Sequence, residues 1–529
     1  MRRTSSLSNR QLLQRESGTV YKEWGGRLPV ALIFPNTYAL GMSSLAVHTL
    51  YRQLNAPPDL VCERVFWDAA TPRSMESDRE LREFSLLAFS VSFELDYFNL
   101  IDMLRRAGLP LWAAARDAHQ PLIIAGGPAL TANPEPLAPF LDAIAIGEAE
   151  AILPPLLDLL RDAIHENRAD LLAALARLPG LYVPAIHRPT DPPIARQIQC
   201  CLDDHPASTA ILSPDTEFGD RFLIEIGRGC GRGCRFCLAG YTYRPVRELS
   251  LETILRQAKR GLEQRDRLGL VSAAVSDHSQ IDAIVTELRR MGARISASAM
   301  RIDPVSEPLV RALAESDTRT LTLAPEAGSE RLRRLINKTQ SEDDVLRAAS
   351  LAAHHGFHQL KLYFMIGLPG ETEADIAAII DLVGRVKARF GGRVTIDATP
   401  FVPKAHTPFQ RAAMAAATTL QDRLRILSRA LEPRGVAVRT DSPAWAAVQG
   451  VLARGDRRLA HALTHLTDQT TLAGWRRALR AEGLTAEEYL CLRAPDAPLP
   501  WQVVDSGISQ SYLNREWQRA QSGPAPPAP

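Results

Sequence analysis

The chain reads as an α/β protein in three parts: a doubly wound parallel sheet, a partial (β/α)6 barrel and a mainly helical C-terminal region. Three observations predict this. Short, nearly unbroken apolar runs alternate with amphipathic helices over 28–165, as in a parallel sheet covered on both faces. A second alternating series with six such runs fills residues 221–400, the spacing of successive βα units. After residue 412 the strands stop and Ala and Leu recur at helical spacing.

In the first series the strands are LPVALIF (28–34), LLAFSVS (86–92), PLIIAGG (121–127) and DAIAIGEAE (142–150). Helices follow at Ser43 to Leu54, Tyr97 to Ala107 and up to about Ile164. In such sheets the ligand crevice lies beyond the carboxyl ends of the strands. Here those ends carry Asn36 to Gly41, Ser90 and Ser92, Gly126 and Gly127, and Gly147 with Glu148. Residues 166–215, with their prolines, read as a linker with some β character. The second series runs FLIEIG (222–227), LGLVSAAV (268–275), ARISASAM (293–300), TRTLTLA (318–324), HQLKLYFMIG (358–367) and VTIDATP (394–400). Ser341 with Asp344 opens one intervening helix and Thr372 or Glu373 with Asp375 another, since such side chains cap free backbone N–H groups. The expected divisions are an arm at 1–25, domains at 26–165, 216–412 and 413–519, and a low-complexity, disordered tail at 520–529.

With 529 residues, 46% apolar and 23% charged, the chain has the make-up of an ordinary globular protein of several domains. A net charge of +2 gives no whole-molecule pull towards nucleic acid or anionic lipid. No apolar run is long enough for a membrane span. The remaining cysteines, Cys62, Cys200, Cys201 and Cys491, form no repeated framework, so a reducing cytoplasm is expected.

The chemistry is carried by GRGCGRGCRFC (227–237), directly after the first strand of the second series. Cys230, Cys234 and Cys237, spaced CxxxCxxC, can hold three irons of a four-iron cluster, whereas electron carriers supply four cysteines. Three ligands leave one iron open, much as catalytic zinc sites keep an open position. Zinc itself would want a fourth Cys or His at local spacing, and His205 and His278 have none. Arg228, Arg232 and Arg235 flank the cysteines; a solvated basic patch, donor docking and substrate contact are the readings open to them. Arg301 follows the third strand and suits either a substrate carboxylate or an internal ion pair.

These residues resemble the CxxxCxφC motif of the radical S-adenosylmethionine enzymes, with Phe236 as the aromatic residue. Later segments carry the resemblance further. LYFMIGLPGET (362–372) is similar to the fifth-strand motif bordering the adenosine, which implies Gly367 and Pro369. LAPEAGSERL (323–332) looks like the fourth-strand segment, with Glu326 towards the ribose or methionine. PFVPKAHTPFQ (400–410) resembles the sixth-strand exit, with Val402. VSDHSQ (275–280) places Asp277 where many members hold the methionine ammonium with Glu.

The resemblance extends to the subgroup with a flavodoxin-like, cobalamin-binding N-terminal domain, whose tentative ligand-facing positions here are Gly41, Ser90, Ser92, Gly126, Gly127 and Gly147. Asn36 and Tyr38 stand where that subgroup's cobalt motif has Asp and His. Either cobalamin binds without a protein ligand to cobalt, the reading the glycine exits favour, or the domain has lost the cofactor. The resemblance implies a [4Fe-4S] cluster, S-adenosylmethionine, a flavodoxin- or ferredoxin-type electron donor, and methyl transfer to an unactivated carbon of an unidentified substrate. The alternatives are rearrangement, cyclisation or sulfur insertion, or a non-catalytic sensor. Sulfur-inserting relatives carry three more cysteines in the N-terminal domain, where this chain has only Cys62.

Overall fold

A computed structural model describes residues 7–67, 72–164, 166–188, 190–297, 300–303, 305–466 and 470–522. The tail expected to be disordered lies largely outside these residues, as does the start of the arm. The six-stranded N-terminal sheet has the spatial order Leu60–Phe66, Leu28–Phe34, Leu86–Ser90, Leu122–Gly126, Ala143–Ala145, Leu181–Tyr182. The first five are parallel and the last is antiparallel. The four strands read from the sequence are present, and Leu60–Phe66 joins them in register with Leu28–Phe34.

That edge strand is hidden in the sequence by Glu63 and Arg64 at its centre. Both are buried and compensated. Glu63 accepts hydrogen bonds from Trp24 (2.8 Å) and Ser77 (2.6 Å), and Arg64 pairs with Glu16 and Glu76 at 2.7 Å each. The linker also differs from expectation. It contains the helix Arg168–Leu175, and it supplies the antiparallel edge strand.

All six strands expected after residue 221 form, but in two parallel sheets. Phe222–Glu225, Arg267–Val271 and Arg294–Ala297 make one; Thr320–Glu326, Gln359–Ile366, Arg393–Pro400 and Val436–Thr440 make the other. The seventh strand, Val436–Thr440, corrects the expectation that strands stop at 412. It is short and ends in exposed Arg439 and Thr440, so its apolar signal covers only three residues. Ser341 with Asp344 and Thr372 with Asp375 form capping boxes as expected.

Alternation governs this second region. Leu321 and Leu323 are buried with Leu360 and Leu362 beneath the helices, while Thr320, Thr322 and Glu326 occupy the half-buried opposite face. The C-terminal helices divide their contacts. Val451, Leu463 and Trp475 enter the core of the N-terminal sheet, where Trp475 meets Phe98 edge to face at 5.5 Å. The helix Gln510–Gln521 instead reaches the cysteine loop through Glu516. Among the described residues no helix is long and apolar enough to cross a membrane.

Candidate active site

The strand Phe222–Glu225 delivers the chain into the cysteine loop, which is anchored at several points. Arg228 pairs with Glu148 (2.7 Å), Glu150 (2.9 Å) and Glu225 (2.8 Å), and Arg247 adds a second bond to Glu148 at 2.7 Å. The N-terminal domain is thereby tied to the start of the loop. Arg235 is buried; it pairs with Glu516 at 2.9 Å and donates to the carbonyl of Leu335 at 2.6 Å. Arg232, more exposed, grips Asp277 through two bonds of 2.9 and 3.0 Å. A solvated basic patch is therefore incorrect for Arg228 and Arg235: both are held by carboxylates, and Glu148, Glu150 and Glu516 come from far away in sequence. Arg301 makes internal ion pairs, with Asp303 at 2.9 Å and Asp277 at 3.7 Å.

Cys234 is buried and Cys230 and Cys237 are partly so. Burial pushes the Cys234 thiol up, against the opposing pull of Lys338 and Arg301. Burial likewise pushes Cys237 up to about 11, although the Gly240 N–H favours its thiolate. A thiolate is the form that ligates metal, and a bound iron would hold these sulfurs in that form. Among the described residues no three Cys, His, Asp or Glu side chains converge to hold one ion. A four-iron cluster asks for something else, since each thiolate binds a different iron.

Several predicted positions gather around this loop. Phe236 packs with Leu335, Ile336, Leu368, Phe401 and Phe409, an apolar cluster drawn from the exits of three strands. Glu326 ends its strand in a left-handed conformation, φ +68°, which is costly for a side chain of this kind and is found where a site requires it. Its carboxylate receives Lys338 at 2.8 Å. The Gly367 N–H donates to Glu371 at 2.7 Å, and Arg423 holds the same carboxylate oxygen at 2.6 Å. Pro369 lines a neighbouring hollow with Trp517. Asp277 is already engaged by two arginines, and Val402 is half-buried against the main core. Sequence reasoning missed Lys338, Arg423 and Glu516, which no local motif marks.

Ser90, Ser92, Gly126, Gly127 and Gly147 all line one cavity of about 410 Å3, with Gly229, Thr242 and Tyr243 beside the cysteine loop on its far wall. Most of the remaining wall is apolar, including Leu50, Leu54 and Leu153, but Arg196 and the Arg228 ion pairs with Glu148, Glu150 and Glu225 also line it. The hydroxyls of Thr49 and Thr242, both on this wall, are buried with no hydrogen-bond partner among the described residues. Gly41 does not join them, because it packs where an added Cβ would lie 2.3 Å from the Phe66 ring. Gly127 and Gly147 have φ of +111° and +123°, and a Cβ there would meet the carbonyls of Val91 (2.4 Å) and Gln197 (2.2 Å). Backbone packing alone thus demands both glycines.

Asn36 and Tyr38 turn elsewhere. Asn36 donates to Asp96 at 2.6 Å, a carboxyl that burial raises to about 7. The Tyr38 hydroxyl donates to Glu16 at 2.6 Å and accepts from the Ser213 hydroxyl at 2.8 Å, in a buried setting.

With this geometry in place, the comparisons with known proteins are direct. The family model described as Radical SAM proteins, N-terminal, matches residues 46–184, and that described as Radical SAM superfamily matches 224–383. An uncharacterized protein of Methanocaldococcus jannaschii is 32% identical over 84% of this chain and 92% of its own length. The chain belongs to the radical S-adenosylmethionine superfamily. A tRNA-2-methylthio-N(6)-dimethylallyladenosine synthase of Cereibacter sphaeroides is 27% identical, over 36% of this chain and 46% of the synthase. Among solved structures, the cobalamin-dependent S-adenosylmethionine radical enzyme OxsB is similar at 15% identity, with a TM-score of 0.46 over 67% of this chain and 51% of its own. Methylornithine synthase is similar at 15% identity and a TM-score of 0.31, over 50% of this chain and 82% of its own.

Proposed function

We propose that this radical S-adenosylmethionine enzyme transfers a methyl group to an unactivated carbon, with cobalamin held at the N-terminal sheet without a protein ligand to cobalt. Cys230, Cys234 and Cys237 would hold the [4Fe-4S] cluster, and Glu326, Gly367, Pro369 and Phe236 would border the nucleotide. Together a reduced cluster and S-adenosylmethionine supply a 5′-deoxyadenosyl radical, and cobalamin supplies a methyl donor.

The protein's own part is positioning and exclusion of water. Arg235 and Phe236 clamp the cysteine loop beneath the neighbouring strand exits. Lys338 fixes the Glu326 carboxylate. The Glu371–Arg423 pair fixes the turn at Gly367. The Arg228 ion pairs hold the N-terminal domain against the loop. An external one-electron donor of flavodoxin or ferredoxin type completes the system.

The observation that carries the cobalamin reading is the mainly apolar cavity that reaches the strand ends, lined by Gly229 of the cysteine loop and bearing two hydroxyls with no partner among the described residues. An apolar wall with a few polar points is the make-up of a ligand site. The strand order 2-1-3-4-5 is also that of flavodoxin-like sheets, whose ligands bind at this edge. Sulfur insertion is disfavoured by Cys62, which lies fully buried in the edge strand.

Anaerobic reconstitution followed by reductant and S-adenosylmethionine, with and without hydroxocobalamin, tests the reading by mass spectrometry. 5′-Deoxyadenosine is expected in both, and methylcobalamin with S-adenosylhomocysteine only when cobalamin is added. Cys234→Ala should lose both the cluster absorbance and 5′-deoxyadenosine. Product formed by that variant would overturn the cluster assignment. Full product with no retained cobalamin would overturn the methyl-transfer reading.

A further inference from the structure

We propose that the cleft between the two parallel sheets of the second region, at the N-terminal ends of their strands, binds a small phosphate-bearing ligand. Four arginines stand at the starts of four strands: Arg221, Arg267, Arg294 and Arg319, all lining a cavity of about 370 Å3. The strand register stacks three of them. Arg267 is directly opposite Arg294, and because Leu268 is opposite Phe222, Arg221 neighbours Arg267. Residues opposed in register point to the same face, and like charges placed so are destabilising.

Their neutralisation is incomplete. Arg294 pairs with Asp317 at 2.9 Å and approaches Asp266 at 3.7 Å. Arg221, Arg267 and Arg319 have no side-chain ion pair or hydrogen bond among the described residues. Burial, and next the charge of Arg267, lower the affinity of the Arg221 guanidinium for its proton. Ser296 and Thr322 add hydroxyls to the cleft. Four guanidinium groups facing one lining carboxylate, Asp317, leave an excess that a phosphate or pyrophosphate matches better than a single carboxylate. Guanidinium forks also suit phosphate oxygens bidentately.

The site is separate from the cysteine loop. The strand from Thr320 to Glu326 rises about 20 Å between this cleft and the Glu326 carboxylate. The confined volume favours a small molecule over a nucleic-acid strand, which needs an extended groove.

The test is calorimetric titration of the full-length reconstituted protein with inorganic pyrophosphate at low salt. Saturable binding is expected, weakened about tenfold to a hundredfold in Arg267→Ala, as for loss of one charge-assisted contact, and unchanged in Cys234→Ala. Pyrophosphate should raise the Tm of the wild type but not of Arg267→Ala, which without ligand should unfold no lower than the wild type because it relieves repulsion. Arg267→Gln serves as the second variant if the first fails to fold. Absence of saturable heat, or equal binding by wild type and variants, would overturn the site. Tighter binding of a short oligoribonucleotide than of pyrophosphate would overturn the small-ligand assignment.

Discussion

The two parallel regions bury their strands differently. In the N-terminal sheet, Leu60–Phe66 is buried at every position and Leu28–Phe34 at its last five. In the second region, Thr320–Glu326 and Gln359–Ile366 are buried at alternate positions only. A sheet covered on both faces offers chemistry mainly near its strand ends, and the 410 Å3 cavity runs from those ends back over Ala88 and Leu86 beneath the flanking helices. A sheet covered on one face leaves side chains available along its whole length. That is why arginines can collect at one end and Glu326 with Lys338 at the other.

The sharpest way to break this contrast is at the joint between the regions. Arg228→Ala leaves buried Glu150 and half-buried Glu225 without their cation and should cost about 3 kcal/mol. Denaturant titration should show that loss, and iron content after reconstitution should fall with it. A variant as stable as wild type would show that the two regions are not locked there.

Next come paired truncations. Ile33→Ala, in the fully covered sheet, should cost about 2–5 kcal/mol. Thr322→Ala, on the half-buried face, should stay within about 1 kcal/mol. Equal costs would abolish the distinction drawn between the sheets.

A smaller effect is expected from Asp96, whose buried carboxyl is raised from 3.8 to about 7. The folded state holds the proton more tightly than the unfolded chain. Its contribution to stability is therefore complete below about pH 4 and is lost as pH rises through about 7. Asp96→Asn should flatten that stretch of a stability-against-pH curve measured by urea denaturation; an unchanged slope would show that Asp96 does not titrate there. The smallest change belongs to Tyr38→Phe, which should cost about 1 kcal/mol and leave cobalamin retention intact. Loss of cobalamin would mean that Tyr38 serves the cofactor rather than Glu16.

Much of this was legible in the chain. The alternating apolar runs marked ten of the strands, and Ser341 and Thr372 marked their helices, because periodicity and capping are local. The cysteine spacing marked the cluster loop for the same reason. Leu60–Phe66 was not legible, since Glu63 and Arg64 break its apolar run and their partners Trp24, Glu16 and Glu76 are distant. Gly41 looked like Gly126 from the sequence, and only packing against Phe66 separates the two.

The residues by themselves settled which thiols could meet iron and where strands feed loops, because both follow from spacing over a few positions. Tertiary structure decided the charges. Whether an arginine is solvated, locked or left without a counter-ion depends on which carboxylates the fold carries to it. Arg228 finds three, Arg235 finds Glu516, and Arg267 finds other arginines. Coulombic partners are chosen by distance in space, which the order of residues along a chain does not state.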